Sequence, residues 1–196
     1  MLSGVLLAVV TPVAAHEFWL APSSHRAVRG EQVELNAMIG QNDRVEPVKR
    51  LPRHIKQFQV HDGEQRLKVG GRSFSLPTGK FRTERSGIHV FYYESHPRLN
   101  TLPGERFHNY LAEEGLEEVI AQRSASGEQD APGRERYARC AKSLVQVEGG
   151  AGMDRALGLP FEIVAQTDPF ALSVGSTFLV RVLLEGEPVP GVLVKA

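Results

Sequence analysis

Polar and apolar residues alternate along residues 32–40 (QVELNAMIG) and again along residues 55–61 (IKQFQVH). A period of two puts successive side chains on opposite faces of a sheet, so both stretches are expected to be half-buried strands. Asp62-Gly63 then supplies a hairpin turn, and residues 66–69 the returning strand. Residues 88–94 (IHVFYYE) carry the strongest β composition of the chain, β-branched and aromatic throughout. Residues 17–22 form a short aromatic segment stopped at Pro22, and residues 41–52 are polar and proline-punctuated, which predicts a loop. Turns at Arg29-Gly30, Gly70-Gly71 and Pro77-Thr78-Gly79 separate these segments. The spacing predicts a mainly β fold, an antiparallel β-sandwich.

The period changes after Pro103. Phe107, Tyr110, Leu111, Leu116, Val119 and Ile120 fall at helical spacing, with Gly115 breaking two short helices. A polar loop over 124–133 leads to a third helical piece at 134–142, and that runs into a strand at 143–147. The sandwich is thus expected over 16–148, with a helical insertion at about 103–142. Residues 149–157 open with glycines and read as a linker. Beta pattern resumes at 159–164 and 178–184, and the turn 185–191 feeds a last strand at 192–196. A segment as short as 158–196 rarely sustains its own core, so it is expected to be the first part of a second, incomplete β module.

The 196 residues hold 23 basic and 23 acidic side chains, a net charge of zero. No basic stripe points to nucleic acid or to an anionic membrane surface. The single cysteine, Cys140, permits no internal disulfide and no cysteine-built zinc site. The apolar run 2–13 falls short of the roughly 20 residues that span a bilayer, so no membrane span is expected. It ends at Pro12-Val13-Ala14-Ala15, with small residues placed for signal-peptidase cleavage after Ala15. Residues 1–15 are therefore expected to be a signal peptide, the alternative being a buried N-terminal strand. Met1-Leu2-Ser3-Gly4 lacks the usual basic residue, which implies an internal start or a missing N-terminal piece.

Several stretches together resemble the exported family of unknown function that carries the NikM-like nickel-uptake name. They are Ala15-His16-Glu17-Phe18-Trp19-Leu20, residues 87–95 with Pro97, 107–116, 133–142, 157–160 and 186–191. The resemblance implies a periplasmic location, an immunoglobulin-like sandwich, and a following transthyretin- or immunoglobulin-like module. It also implies association with nickel or cobalt uptake across the envelope.

Cleavage after Ala15 would leave His16 with a free α-amine beside its imidazole, a chelate for Cu(II), Ni(II) or Zn(II) whose nitrogen donors suit Cu(II) and Ni(II) in particular; the divalent ion expected is nickel, cobalt or copper. A second histidine would complete a brace. The chain offers His25, His54, His61, His89, His96 and His108. His89, within the strongest strand, and His96, just past it, are the first candidates. No Gly-x-Ser-x-Gly, His-Glu-x-x-His or phosphate-cradling motif is present. Glu113, Glu114, Glu117 and Glu118 read as a solvated helix face, and Arg134, Arg136, Arg139 and Lys142 as surface charge. Cys140 reads as a small core residue, and Phe18, Trp19, Phe91 and Tyr93 mainly as core. The leading expectation is a non-enzymatic periplasmic protein that binds a divalent transition metal through His16 for an envelope transporter or receptor. The alternatives are a histidine-brace copper oxidoreductase acting on polysaccharide, and a structural or adhesive β-module protein.

Overall fold

The computed structural model describes residues 17–41, 44–192 and 194. In chain order the elements are β1 (Glu17–Pro22), β2 (Arg26–Ala27), β3 (Gln32–Gln41), β4 (Arg44–Val48), β5 (Ile55–His61), β6 (Arg66–Lys68), β7 (Gly79–Arg82), β8 (Gly87–Ser95) and β9 (Arg98–Leu102). There follow α1 (Gly104–Glu113), α2 (Glu117–Ala125), β10 (Gly133–Tyr137), β11 (Cys140–Val147), β12 (Phe161–Ala165), β13 (Val180–Leu184) and β14 (Glu187–Pro188). The mainly β class holds, with several antiparallel sheets in an open, sandwich-like arrangement and a short helical segment. By internal contacts the described residues divide into two units, one of residues 17–98 with those from 138 onward, the other of residues 99–137.

In the larger unit, one sheet runs β1-β3-β4 with β7 also on β3, and the other runs β2-β11-β8-β5-β6. Between them lies a core drawn from both: Leu20, Val33, Leu35 and Ala37 on one side, Phe58, Val60, Phe91, Tyr93, Val145 and Val147 on the other. The alternation in β3 and β5 predicts this, since Val33, Leu35 and Ala37 all point inward while the residues between them do not. β8 departs from alternation. Nearly every residue in it is buried, because its second face also carries a cluster, Ile88, Val90 and Tyr92, packed with Leu157 and Leu159.

Leu157 and Leu159 arrive by way of the glycine-rich stretch after Glu148. A Cβ on Gly150 would lie 2.3 Å from the Gly87 backbone nitrogen. Glycine stands there because backbone approaches backbone, not to make a loose tether. β12, β13 and β14 then form a separate three-stranded antiparallel sheet, with Phe161↔Leu184 and Ala165↔Val180 at its ends.

Two expectations are corrected, and a third lies partly beyond the described residues. Residues 134–142 are not helical: they form β10 and the start of β11. β11 pairs with β8 in unbroken register from Cys140↔Glu94 to Val147↔Gly87, and that ladder overrides the helix propensity of the Arg/Ala-rich sequence. Cys140 accordingly opens a strand and is half-buried. The presumed loop at 41–52 contains β4, an edge strand, where Pro47 opposite Met38 is tolerated because one side of the strand needs no partner. The last expected strand, 192–196, lies partly outside the described residues, and Val192 and Val194 are in no strand.

The smaller unit contains α1 and α2, broken at Gly115 as the sequence predicts. Gly115 adopts φ +69°, and Leu116 N–H and Gly115 N–H donate to the carbonyls of Leu111 and Ala112, a Schellman C-cap. Phe107 and Leu111 are its buried apolar side chains on α1, and the Arg123 guanidinium lies 4.9 Å from the Phe107 ring centroid. Glu113, Glu114, Glu117 and Glu118 are exposed. Among the described residues no helix is long and apolar enough to cross a membrane.

Candidate functional site

His16, the principal candidate ligand, lies outside the described residues. Glu17, the next residue and the first described, pairs with Gly40 in β1. His89 is fully buried on the core face of β8, its ring centroid 6.1 Å from that of Phe81, and neither ring nitrogen makes a well-formed hydrogen bond. His96 is exposed, immediately after β8. Seven residues of extended chain separate the two, about 20 Å at the rise of a strand, so they cannot hold the same ion.

They also belong to opposite ends of the sandwich. The Phe18 ring on β1 lies 5.2 Å from Tyr93, and Arg139 stacks over Phe18 while exchanging two hydrogen bonds with Ser95. The end of β8 that leads to His96 is therefore the end at which β1 starts. His96 N–H donates to the His54 carbonyl at 2.9 Å. Among the other candidates, His25 has Nδ1 2.9 Å from the Leu144 carbonyl, and His61 Nδ1 accepts from Gly63 N–H. His108 is exposed on α1 of the smaller unit. Among the described residues no three His, Cys, Asp or Glu side chains gather closely enough to hold a metal ion.

The burial of His89 has a consequence for stability. Desolvation pushes its pKa below 6.5, against weaker opposing pulls from the Gly87 backbone and the Asp62 carboxylate. Between that lowered value and 6.5 the unfolded chain binds the proton and the folded chain does not. Stability is then full above pH 6.5 and falls as the pH drops through that window, by up to about 1.4 kcal/mol per pH unit for one proton. His54 and His61, shifted the same way by desolvation and nearby arginines, add to the slope from half-buried positions. His89→Leu is expected to flatten this acid-side loss in urea melts between pH 7 and pH 5. An unchanged slope would contradict it.

A second constellation escapes the sequence pattern. Lys142 on β11, read as surface charge, has a side chain only 8% exposed. Its Nζ lies 2.8 Å from Asp154 Oδ1, 3.0 Å from Glu162 Oε1 and 2.8 Å from the Arg155 carbonyl. Both carboxylates are buried and take backbone donors as well. Glu162 accepts from Leu157 and Gly158 N–H, and Asp154 from Arg155 and Ala165 N–H. One ammonium and two carboxylates thereby fasten the 154–158 segment and β12 to β11.

The signal in the sequence pointed the wrong way. In β12 the apolar Phe161 and Ile163 are exposed, while the intervening Glu162 is buried. A carboxylate can occupy the inner face only because Lys142 and backbone N–H groups satisfy it. Cys140 borders the same region, and burial raises its thiol pKa, which makes it an unreactive thiol.

The model of a protein family described as "Domain of unknown function (DUF4198)" matches residues 13–196. No curated protein and no solved structure matches the chain.

Proposed function

The chain belongs to the DUF4198 family, a domain of unknown function, and on that footing we propose that it is an exported, non-enzymatic metal-handling protein of the periplasm. In this reading the mature chain starts at His16 and binds nickel, cobalt or copper through its α-amine and imidazole, for delivery to an envelope transporter. What supports it is the small-residue junction Val13-Ala14-Ala15, which ends at the residue before His16. Glu17, the residue after His16, is already paired with Gly40 in β1, so a leader removed after Ala15 would place the histidine terminus directly before a paired strand residue.

An amine and an imidazole on one residue form a chelate whose nitrogen donors suit Cu(II) and Ni(II) in particular. The described residues do not assemble a metal site by themselves, so affinity should rest on His16. Of His89 and His96, His96 is the one whose replacement is expected to lower affinity, because it belongs to the end of the sandwich at which Glu17 lies. His89 is sealed in the core.

The test is calorimetric titration with Ni(II), Cu(II) and Co(II) of protein whose mature terminus has been fixed by mass spectrometry. One-to-one binding is expected for at least one ion, weakened about 100-fold or more in His16→Ala, as loss of a bidentate ligand from a nitrogen-rich site implies. A processed terminus elsewhere, or unchanged affinity in His16→Ala, would remove the proposal.

A further inference from the structure

Beside the buried charge cluster, and apart from the histidines, lies a cavity of about 340 Å³. Trp19 of β1 and Phe161, Ile163, Phe178 and Val180 of the C-terminal part of the chain line it, together with Lys142, Asp154 and Glu162. It falls within the size range of small-molecule sites, roughly 300–1,000 Å³, and combines apolar walls with a few polar groups as such sites do. Phe161, Ile163 and Phe178 are each between 43% and 49% exposed, although they are large apolar side chains.

The polar groups specify the ligand's charge. All three N–H bonds of the Lys142 ammonium are committed, to Asp154, Glu162 and the Arg155 carbonyl. No ammonium donor remains for an anion. Glu162 accepts from three donors, Lys142, Gly158 N–H and a Leu157 N–H shared between both oxygens, so each of its oxygens already has two contacts. Asp154 Oδ1 accepts two, but among the described residues Oδ2 accepts one, from Ala165 N–H, and keeps room for a further donor. Two carboxylates against one ammonium leave the wall of the cavity negative. Aromatic faces around the opening also favour a cation.

We propose that this cavity binds a small amphipathic amine, its apolar body against Trp19, Phe161 and Phe178 and its protonated nitrogen at the Asp154 carboxylate. The site uses no residue of the proposed metal chelate.

Trp19 is the sole tryptophan of the chain, so intrinsic emission reports directly on the cavity. The probes are 4-phenylbutylamine and 4-phenylbutyrate, which present similar apolar bodies with opposite charges. The amine is expected to shift Trp19 emission saturably, at a concentration at least about tenfold below that needed by the acid. Ile163→Arg, at an exposed position on the rim, is expected to weaken the amine by about tenfold or more while leaving far-UV dichroism and melting temperature in place. Phe178→Arg serves the same purpose should Ile163→Arg fail to fold. No saturable response to the amine, equal responses to amine and acid, or unchanged titrations in the folded arginine variants would each overturn the proposal. So would a concentration-dependent dimer that buries the same face and shuts the amine out.

Discussion

Lys142→Ala is expected to destabilise the protein by about 3–5 kcal/mol, the range for removing one partner from a buried ion pair. Deleting the ammonium leaves Asp154 and Glu162 facing one another, their side chains 2% and 1% exposed, with backbone N–H groups as their remaining hydrogen-bond donors among the described residues. Lys142→Met, which keeps most of the volume, is expected to cost nearly as much, because the loss is electrostatic rather than a cavity. Replacing all three residues with apolar ones should not recover the stability, as it sometimes does for buried ion pairs. The carboxylates also satisfy the N–H groups of Leu157, Gly158 and Ala165, and these would be orphaned. By contrast Arg29→Ala removes a pair whose side chains are 57% and 38% exposed, and should cost under about 1 kcal/mol. Urea unfolding of the variants measures both. A Lys142→Ala loss as small as that of Arg29→Ala would contradict the cluster's role.

Phe107→Ala should unfold the helical unit locally. Truncating a buried phenylalanine costs about 3–5 kcal/mol where a core surrounds it. Here that core is little more than Phe107 and Leu111, with Arg123 stacked on the Phe107 ring and Tyr110 tilted against it at 6.1 Å. Tyr110 adds support through Glu135. Burial, and then the charge and hydrogen bond of Glu135, push its phenol up to about 12, so it stays a neutral donor to that carboxylate. A segment of about 40 residues has no reserve against the loss of its largest buried side chain. The expected result is a fall in helical ellipticity at 222 nm while the sandwich still melts cooperatively. Retention of the helical signal would show that α1 draws its stability from elsewhere.

How much could be read in advance varied with the physics of each element. β3 and β5 were legible because one face meets the core and the other meets water, which imposes a period of two. α1 and its end at Gly115 were legible for the same kind of reason, a helical stripe closed by a residue that accepts positive φ. β11 was not, since Arg, Ala and Lys favour helix locally and only the long-range ladder to β8 makes it a strand. Glu162 inverted the usual rule: a paired carboxylate took the inner face and sent Phe161 and Ile163 outward. Lys142 and Asp154 lie twelve positions apart, with no periodicity linking them, so nothing local announces their pairing. Among the candidate ligands, composition named the histidines, but it could not reveal that β8 buries His89 and sets it about 20 Å from His96.

The metal reading depends on an amine and an imidazole carried together on residue 16. The direct measurement is a nickel titration of two folded proteins, both beginning at His16, one with a free α-amine and one with that amine acetylated. The acetyl group keeps the imidazole but converts the α-amine into an amide and brings no new amine, which dismantles the chelate. Tight binding to the first and an affinity lower by about 100-fold in the second is the expected result. Equal affinities would show that the amine takes no part, and the proposed site would be wrong.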